Sequence, residues 1–306
     1  MDGDKILRNA FLSVVLVVII GLGCSSTIPK FDSTQAFTYL GQQCDFGARV
    51  PNSEAHRQCA NFLFDELAKS ADVCRYQKFT YYDSIRADTL HLTNIIASFN
   101  KSDTRRIMLG AHWDSRPWAD KDPDSTLHNS PVMGANDGAS GAAILLTIAE
   151  IFKKHPPAMG VDIILFDGED YGQYETQEGW LLGSKYFASH MGNYHPSYVI
   201  LLDMVGDSSL DIHKDYYSST YAAWLVNRVW QAAKAENASH FYPDVKHSVY
   251  DDHVPFLEIG IPSVDIIDMD YDWWHTAADT PDKCSPESLG EVGRVVLRLI
   301  YDKEFR

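Results

Sequence analysis

Positive charge is scarce in this chain and nowhere gathered. Against 42 Asp and Glu stand 26 Lys and Arg, a formal net charge of −16, with no Lys/Arg cluster. A protein that binds a phosphate backbone needs clustered cations to displace counterions, so a nucleic-acid partner is excluded. Cysteines number five and none forms a C-x-x-C pair, which removes the cysteine-based metal motifs. No G-x-S-x-G, Walker loop or G-x-G-x-x-G follows a strand pattern, so serine-hydrolase, nucleotide and dinucleotide chemistries lack their anchors. The longest apolar run, Phe11 to Leu22, falls short of the roughly 20 residues that cross a bilayer as a helix. Repeats, low-complexity tracts and linkers are missing too. What remains, with 45% apolar residues over 306, is a globular chain with material for a large core.

The amino end reads as a targeting segment. Lys5 and Arg8 precede the apolar run, and Gly23-Cys24-Ser25-Ser26 follows at once. A cysteine after small residues at the end of such a run resembles a bacterial lipoprotein signal, in which that cysteine is lipidated and becomes the new amino terminus. This reading gives a signal peptide at 1–23, a short tether at 24–32 and a catalytic domain at 33–306, anchored through Cys24 in a bacterial envelope, at the periplasmic or outer membrane. Cleavage removes Asp2, Asp4, Lys5 and Arg8, so the mature charge stays at −16. The remaining Cys44, Cys59, Cys74 and Cys284 suit free buried thiols or disulfides equally.

Within residues 33–69 two patterns repeat apolar residues at three and four on either side of Pro51, which predicts two helices. Residues 74–82 and 90–99 alternate, and residues 105–111, 161–167, 198–205 and 263–267 are short apolar runs of buried-strand length. Helical periods cover 139–154, 181–190, 220–236 and 288–301. The order predicts one α/β domain: a three-layer sandwich whose central sheet is mixed, mostly parallel and flanked by helices.

Chemistry gathers in five segments: MLGAHWDSRPWAD (108–120), GANDGASG (134–141), ILFDGED (164–170), LLDMVGD (201–207) and DWWHTAADT (272–280). Each is read as placing His or carboxylates at a strand end, where open α/β sheets hold their ligands. Alone, Asp137 suits a helix cap and Asp203 a turn. Together, His112, Asp137, Glu169, Asp170, Asp203 and His275 have the N/O chemistry of a zinc site with a position open for substrate. The alternating Asp120, Asp122 and Asp124 lack the Gly and Glu of a calcium loop and read as solvated.

These segments resemble the zinc-dependent exopeptidase superfamily with aminopeptidase-like fold, and within it the bacterial glutaminyl-peptide cyclotransferases, from about Ser33 to the carboxyl end. The resemblance implies zinc ligands at Asp137, Asp170 and His275 and a general acid/base at Glu169; Asp170 stands where the family usually has a second glutamate. His112 and Asp203 match the second-metal ligands of two-zinc aminopeptidases, with Asp137 as bridge. In cyclotransferases the same positions surround one zinc, and Asp203 joins a network with an aspartate like Asp251 in YDDHVPF (250–256). The surroundings of HWDSRPWAD and of Trp273-Trp274 favour the cyclotransferases, with Trp113, Trp273 and Trp274 as aromatic walls for substrate. The implied reaction turns amino-terminal glutamine of peptides or proteins into pyroglutamate and ammonia, with Glu169, Asp203 and Asp251 catalytic. The alternative is a zinc aminopeptidase with one or two metals. A third reading is a binding lipoprotein that kept the fold without catalysis.

Overall fold

The computed structural model describes residues 28–174 and 178–305. The signal peptide, the lipidation site Cys24 and tether residues 24–27 lie outside the described residues. In chain order come α1 (Ser33–Cys44), α2 (Glu54–Ala68), β1 (Val73–Asp83), β2 (Asp88–Phe99), β3 (Arg106–His112), α3 (Ala139–Lys154), β4 (Gly160–Phe166) and α4 (Leu182–Ser189). Next are β5 (Val199–Asp203), β6 (Ile212–Asp215), α5 (Tyr216–Tyr221), α6 (Ala223–Ala235), β7 (Phe241–His247), α7 (Val254–Glu258), β8 (Ser263–Ile267) and α8 (Pro286–Tyr301). The two helices expected around Pro51 form, each started by a side chain that accepts a backbone amide of its first turn: Asp32 from Gln35 and Ser53 from His56.

Six strands make the main sheet in the order β1-β2-β4-β3-β5-β8. The pairs β1–β2 and β2–β4 are antiparallel, while β4, β3, β5 and β8 run parallel. Those four are continuous apolar runs because both sheet faces are covered. Leu109, Ile163, Ile200 and Val264 pack with α1, α2, α3, α6 and α8 in the larger core. Their neighbours Met108, Ile164, Val199 and Leu201 pack on the other face against Phe187 of α4 and Phe256 of α7. The predicted α/β sandwich with its mixed sheet is therefore the fold.

Two features depart from the reading of the sequence. The helix expected over 220–236 is interrupted at Ala222 (φ −135°, ψ 38°), giving α5 and α6. β6 and β7, which carried no strand signal, pair in a separate parallel two-stranded sheet. IHKD is short and carries one apolar residue, and FYPDVKH is largely solvent-facing, so the apolar pattern that betrays a buried strand is missing. All four described cysteines are free thiols.

Candidate metal centre and active site

Three of the five segments reach the site from the carboxyl ends of parallel strands. His112 ends β3, Asp203 ends β5, and Glu169-Asp170 follow β4. Asp137 and His275 correct the expectation of five strand ends. Asp137 lies in the turn before α3, and His275 lies on a long loop after β8 in left-handed backbone (φ 57°). Asp137 is no helix cap, since Gly138 occupies that position without a side-chain bond. Gly138 has φ 98°, and Gly141, on the first turn of α3, would drive a Cβ to 2.3 Å from the Leu202 carbonyl oxygen. These glycines let the helix start against β5 and aim Asp137 inward.

The side chains converge closely. His275 Nε2 lies 3.0 Å from Asp170 Oδ1 and 3.6 Å from Asp137 Oδ2. His112 Nε2 lies 3.1 Å from both Asp137 Oδ1 and Asp203 Oδ1, so Asp137 bridges the two groups. Burial and the Arg116 charge push His275 down to about 3, which makes its ring neutral. Tyr174 Oη sits 2.9 Å from Nδ1; with the proton assigned there, Nε2 presents a lone pair to two carboxylates. Asp137 Oδ2 and Asp170 Oδ2 are buried without partners. One imidazole nitrogen and orphaned carboxylate oxygens converging on a point form a donor set that fits a divalent cation such as zinc. The shorter arm of Asp170 still reaches that point.

Residues outside the expected ligand and catalytic set hold this arrangement. The buried Asp114 carboxylate accepts the backbone amides of Glu169 (3.1 Å) and Asp170 (3.3 Å). The Arg116 guanidinium bonds both Asp120 oxygens (2.8 and 2.6 Å), Asp170 Oδ1 (3.1 Å) and the Asp170 carbonyl (3.0 Å). Asp279 accepts the amides of Asn136 (2.8 Å) and Asp137 (3.2 Å). Asp122 accepts the Ala277 amide (2.9 Å), tying residues 120–124 to the His275 loop. That stretch, expected to be solvated, instead turns Asp120 and Asp122 inward. Their segments were flagged, but the pairings depend on loops that meet only in the fold.

The site opens into a cavity of about 450 Å³, lined by Glu169, Asp203 and Asp251 beside the donor set, and by Tyr174, Trp180, Tyr250 and Trp274. Trp274 stacks near His275 at 4.0 Å between ring centres, and Trp180 lies nearly parallel to it at 6.3 Å. Burial pushes Glu169 well above the usual carboxylate range, reinforced by the charges of Asp170, Asp251 and Asp252. Burial and Asp203 likewise push Asp251 up to about 6.

Of the three tryptophans expected as substrate walls, Trp274 alone lines the cavity. Trp113 is fully buried on the opposite face of the sheet, stacked on His56 at 4.5 Å and donating to the Thr93 carbonyl. Successive residues of a strand point to opposite faces, so with His112 turned into the site its neighbour turns away. Trp273 lies at the mouth, 40% exposed. Tyr174 and Trp180 take the places that the sequence reading gave to Trp113 and Trp273; the aromatic-rich stretch after Asp170 was their only signal.

Residues 94–300 match the model of peptidase family M28. The chain belongs to that family. Among solved M28-like structures, a Zn-dependent exopeptidase from Parabacteroides distasonis is 37% identical, with a TM-score of 0.87 over 90% of this chain and 100% of that one. A glutaminyl cyclase from Tannerella forsythia is 38% identical, with a TM-score of 0.85 over 90% of this chain and 100% of the other. Aminopeptidase YwaD of Bacillus subtilis is 29% identical over 207 residues, 64% of this chain but 40% of its own length, so this chain spans less than half of that relative. An M28 enzyme of this shape is a zinc peptidase or a glutaminyl cyclase.

Proposed function

We propose that the protein is a glutaminyl-peptide cyclotransferase, which closes an amino-terminal glutamine to pyroglutamate and releases ammonia. The observation that carries this reading is the two-sided cavity: rings of Tyr174, Trp180 and Trp274 on one wall, and Glu169, Asp203 and Asp251 beside the donor set. Cyclisation requires the glutamine side chain to fold back until its α-amine meets its own γ-carbonyl. Flat rings hold that compact conformer and exclude water that would hydrolyse it. Zinc held by Asp137, Asp170 and His275 would polarise the γ-carbonyl and stabilise charge developing on its oxygen. The amine nitrogen bonds to the γ-carbonyl carbon while the bond to the amide nitrogen breaks. Glu169 takes a proton from the amine and returns it to the departing ammonia. Asp203 and Asp251 orient the amine and the leaving group.

A second reading, an aminopeptidase with two metals, draws on one observation: His112, Asp137 and Asp203 form another compact donor group. One experiment separates the two. A peptide beginning Gln-Leu is incubated with purified protein, with and without chelator, and products are weighed by mass spectrometry. Loss of ammonia alone, above the spontaneous rate and blocked by chelator, establishes the cyclase; loss of whole residues establishes the peptidase. In keeping with the amino-end signal, we place the enzyme at a bacterial membrane through a lipid on Cys24.

A further inference from the structure

The cavity is acidic inside, and two lysines lie against its aromatic rings. Carboxylates of Asp137, Glu169, Asp170, Asp203 and Asp251 line the interior. The aromatic walls instead carry ammonium groups on their outer side. Lys121 Nζ sits 4.4 Å from the ring centre of Tyr174 and 5.9 Å from that of Trp274. Lys185 Nζ sits 5.5 Å from the ring centre of Tyr250 and donates to the Trp180 carbonyl at 3.0 Å. Both are positioned by backbone that belongs to the site: the Lys121 amide donates to the carbonyl of His275, and Lys185 lies in α4, whose preceding residues bond back to Gly168 and Glu169. Among the described residues neither ammonium has a carboxylate within 4.0 Å. A third cation, Lys283, lies over Trp273 but is already bonded to Asp282.

In a chain of net charge −16, two cations that lack a carboxylate within 4.0 Å among the described residues lie against the rings of one cavity. A substrate matched to it presents a positive amine to the interior and negative charge just behind it. We propose that Lys121 and Lys185 make the enzyme selective for chains with an acidic side chain on one of the two residues following the amino-terminal glutamine. Both lysines are exposed, so the attraction is local and screened by salt. This inference rests on the cavity taking an amino-terminal glutamine and adds the class of sequence behind it.

The test compares kcat/KM for ammonia release from the amidated peptides Gln-Glu-Ala, Gln-Ala-Glu and Gln-Lys-Ala, in wild type and in the double variants K121Q/K185Q, K121E/K185E and K121R/K185R. At about 0.15 M salt the wild type favours at least one glutamate peptide over the lysine peptide by roughly three- to tenfold, the range that one or two exposed ion pairs supply. The ratio falls toward one at about 1 M salt, where the screening length is roughly 3 Å. It is lost in the glutamine variant, inverted in the glutamate variant and kept in the arginine variant. A wild-type ratio at or below one for both glutamate peptides, or a ratio that survives K121Q/K185Q, overturns the proposal. If no peptide releases ammonia the cyclase reading falls, and the same ratio is then read from calorimetric dissociation constants: tighter glutamate peptides keep the role of the two lysines, equal ones remove it.

Discussion

In the proposed reaction Glu169 is the residue that moves the proton. It faces the cavity while its amide is fixed by Asp114, so Glu169→Gln keeps the shape of the loop and removes the proton carrier. Turnover should drop by roughly 10²–10⁴-fold, the usual worth of a general acid/base, with bound metal unchanged by elemental analysis; substantial residual activity would refute its role. The tryptophans separate by the same logic of placement. Trp113→Ala should cost about 3–5 kcal/mol in denaturant unfolding, as a large buried ring leaves a cavity, whereas Trp274→Ala should chiefly raise KM and leave stability nearly unchanged. The sequence brought Asp137, Asp170 and His275 forward as candidates, and the fold brings the three together. The sequence left Arg116 and Asp114 unmarked, because an arginine and an aspartate in a loop become positioning groups only through partners some 50 residues away.

At the scale of elements, the parallel strands were legible because burial on both faces leaves an unbroken apolar signature, and α1 and α2 because their apolar residues recur at three and four on either side of Pro51. The rim of the cavity was not. Asp215, at the end of β6, accepts the amides of Ser218 (2.7 Å) and Val249 (3.0 Å) and pairs with His253 (3.1 Å), joining α5, the rim loop and the start of α7. Burial opposes the charge, but His253 and the two amides outweigh it, and Asp215 is held below the usual carboxylate range. A depressed folded-state value contributes stability that is present above pH 4 and disappears as pH falls through that lower value. Asp215→Asn should therefore lose about 2 kcal/mol at pH 7, and the gap between wild type and variant should close as unfolding is measured from pH 5 down toward pH 2. A gap that stays constant with pH would show that the carboxylate charge is not what holds the rim.

For the molecule as a whole, a metal held by the donor set would be a structural element as well as a reagent. Binding to the folded chain alone adds roughly 4 kcal/mol when free zinc is about a thousand times its dissociation constant. Chelation should lower the thermal midpoint by several degrees, and zinc should restore it with activity; an unchanged midpoint would exclude that donor set as a tight site. Among the described residues no helix is long and apolar enough to cross a membrane. The sheet order has a further consequence, for the order of events in time. Asp137, Asp170 and His275 come from three distant stretches, and the loop bearing His275 follows β8, which pairs with β5 at the far edge of the sheet. Non-local strand pairing of this kind is slow. A growing chain that has not reached residue 275 therefore cannot present the complete donor set, and a metal held by all three residues would report that synthesis has passed that loop.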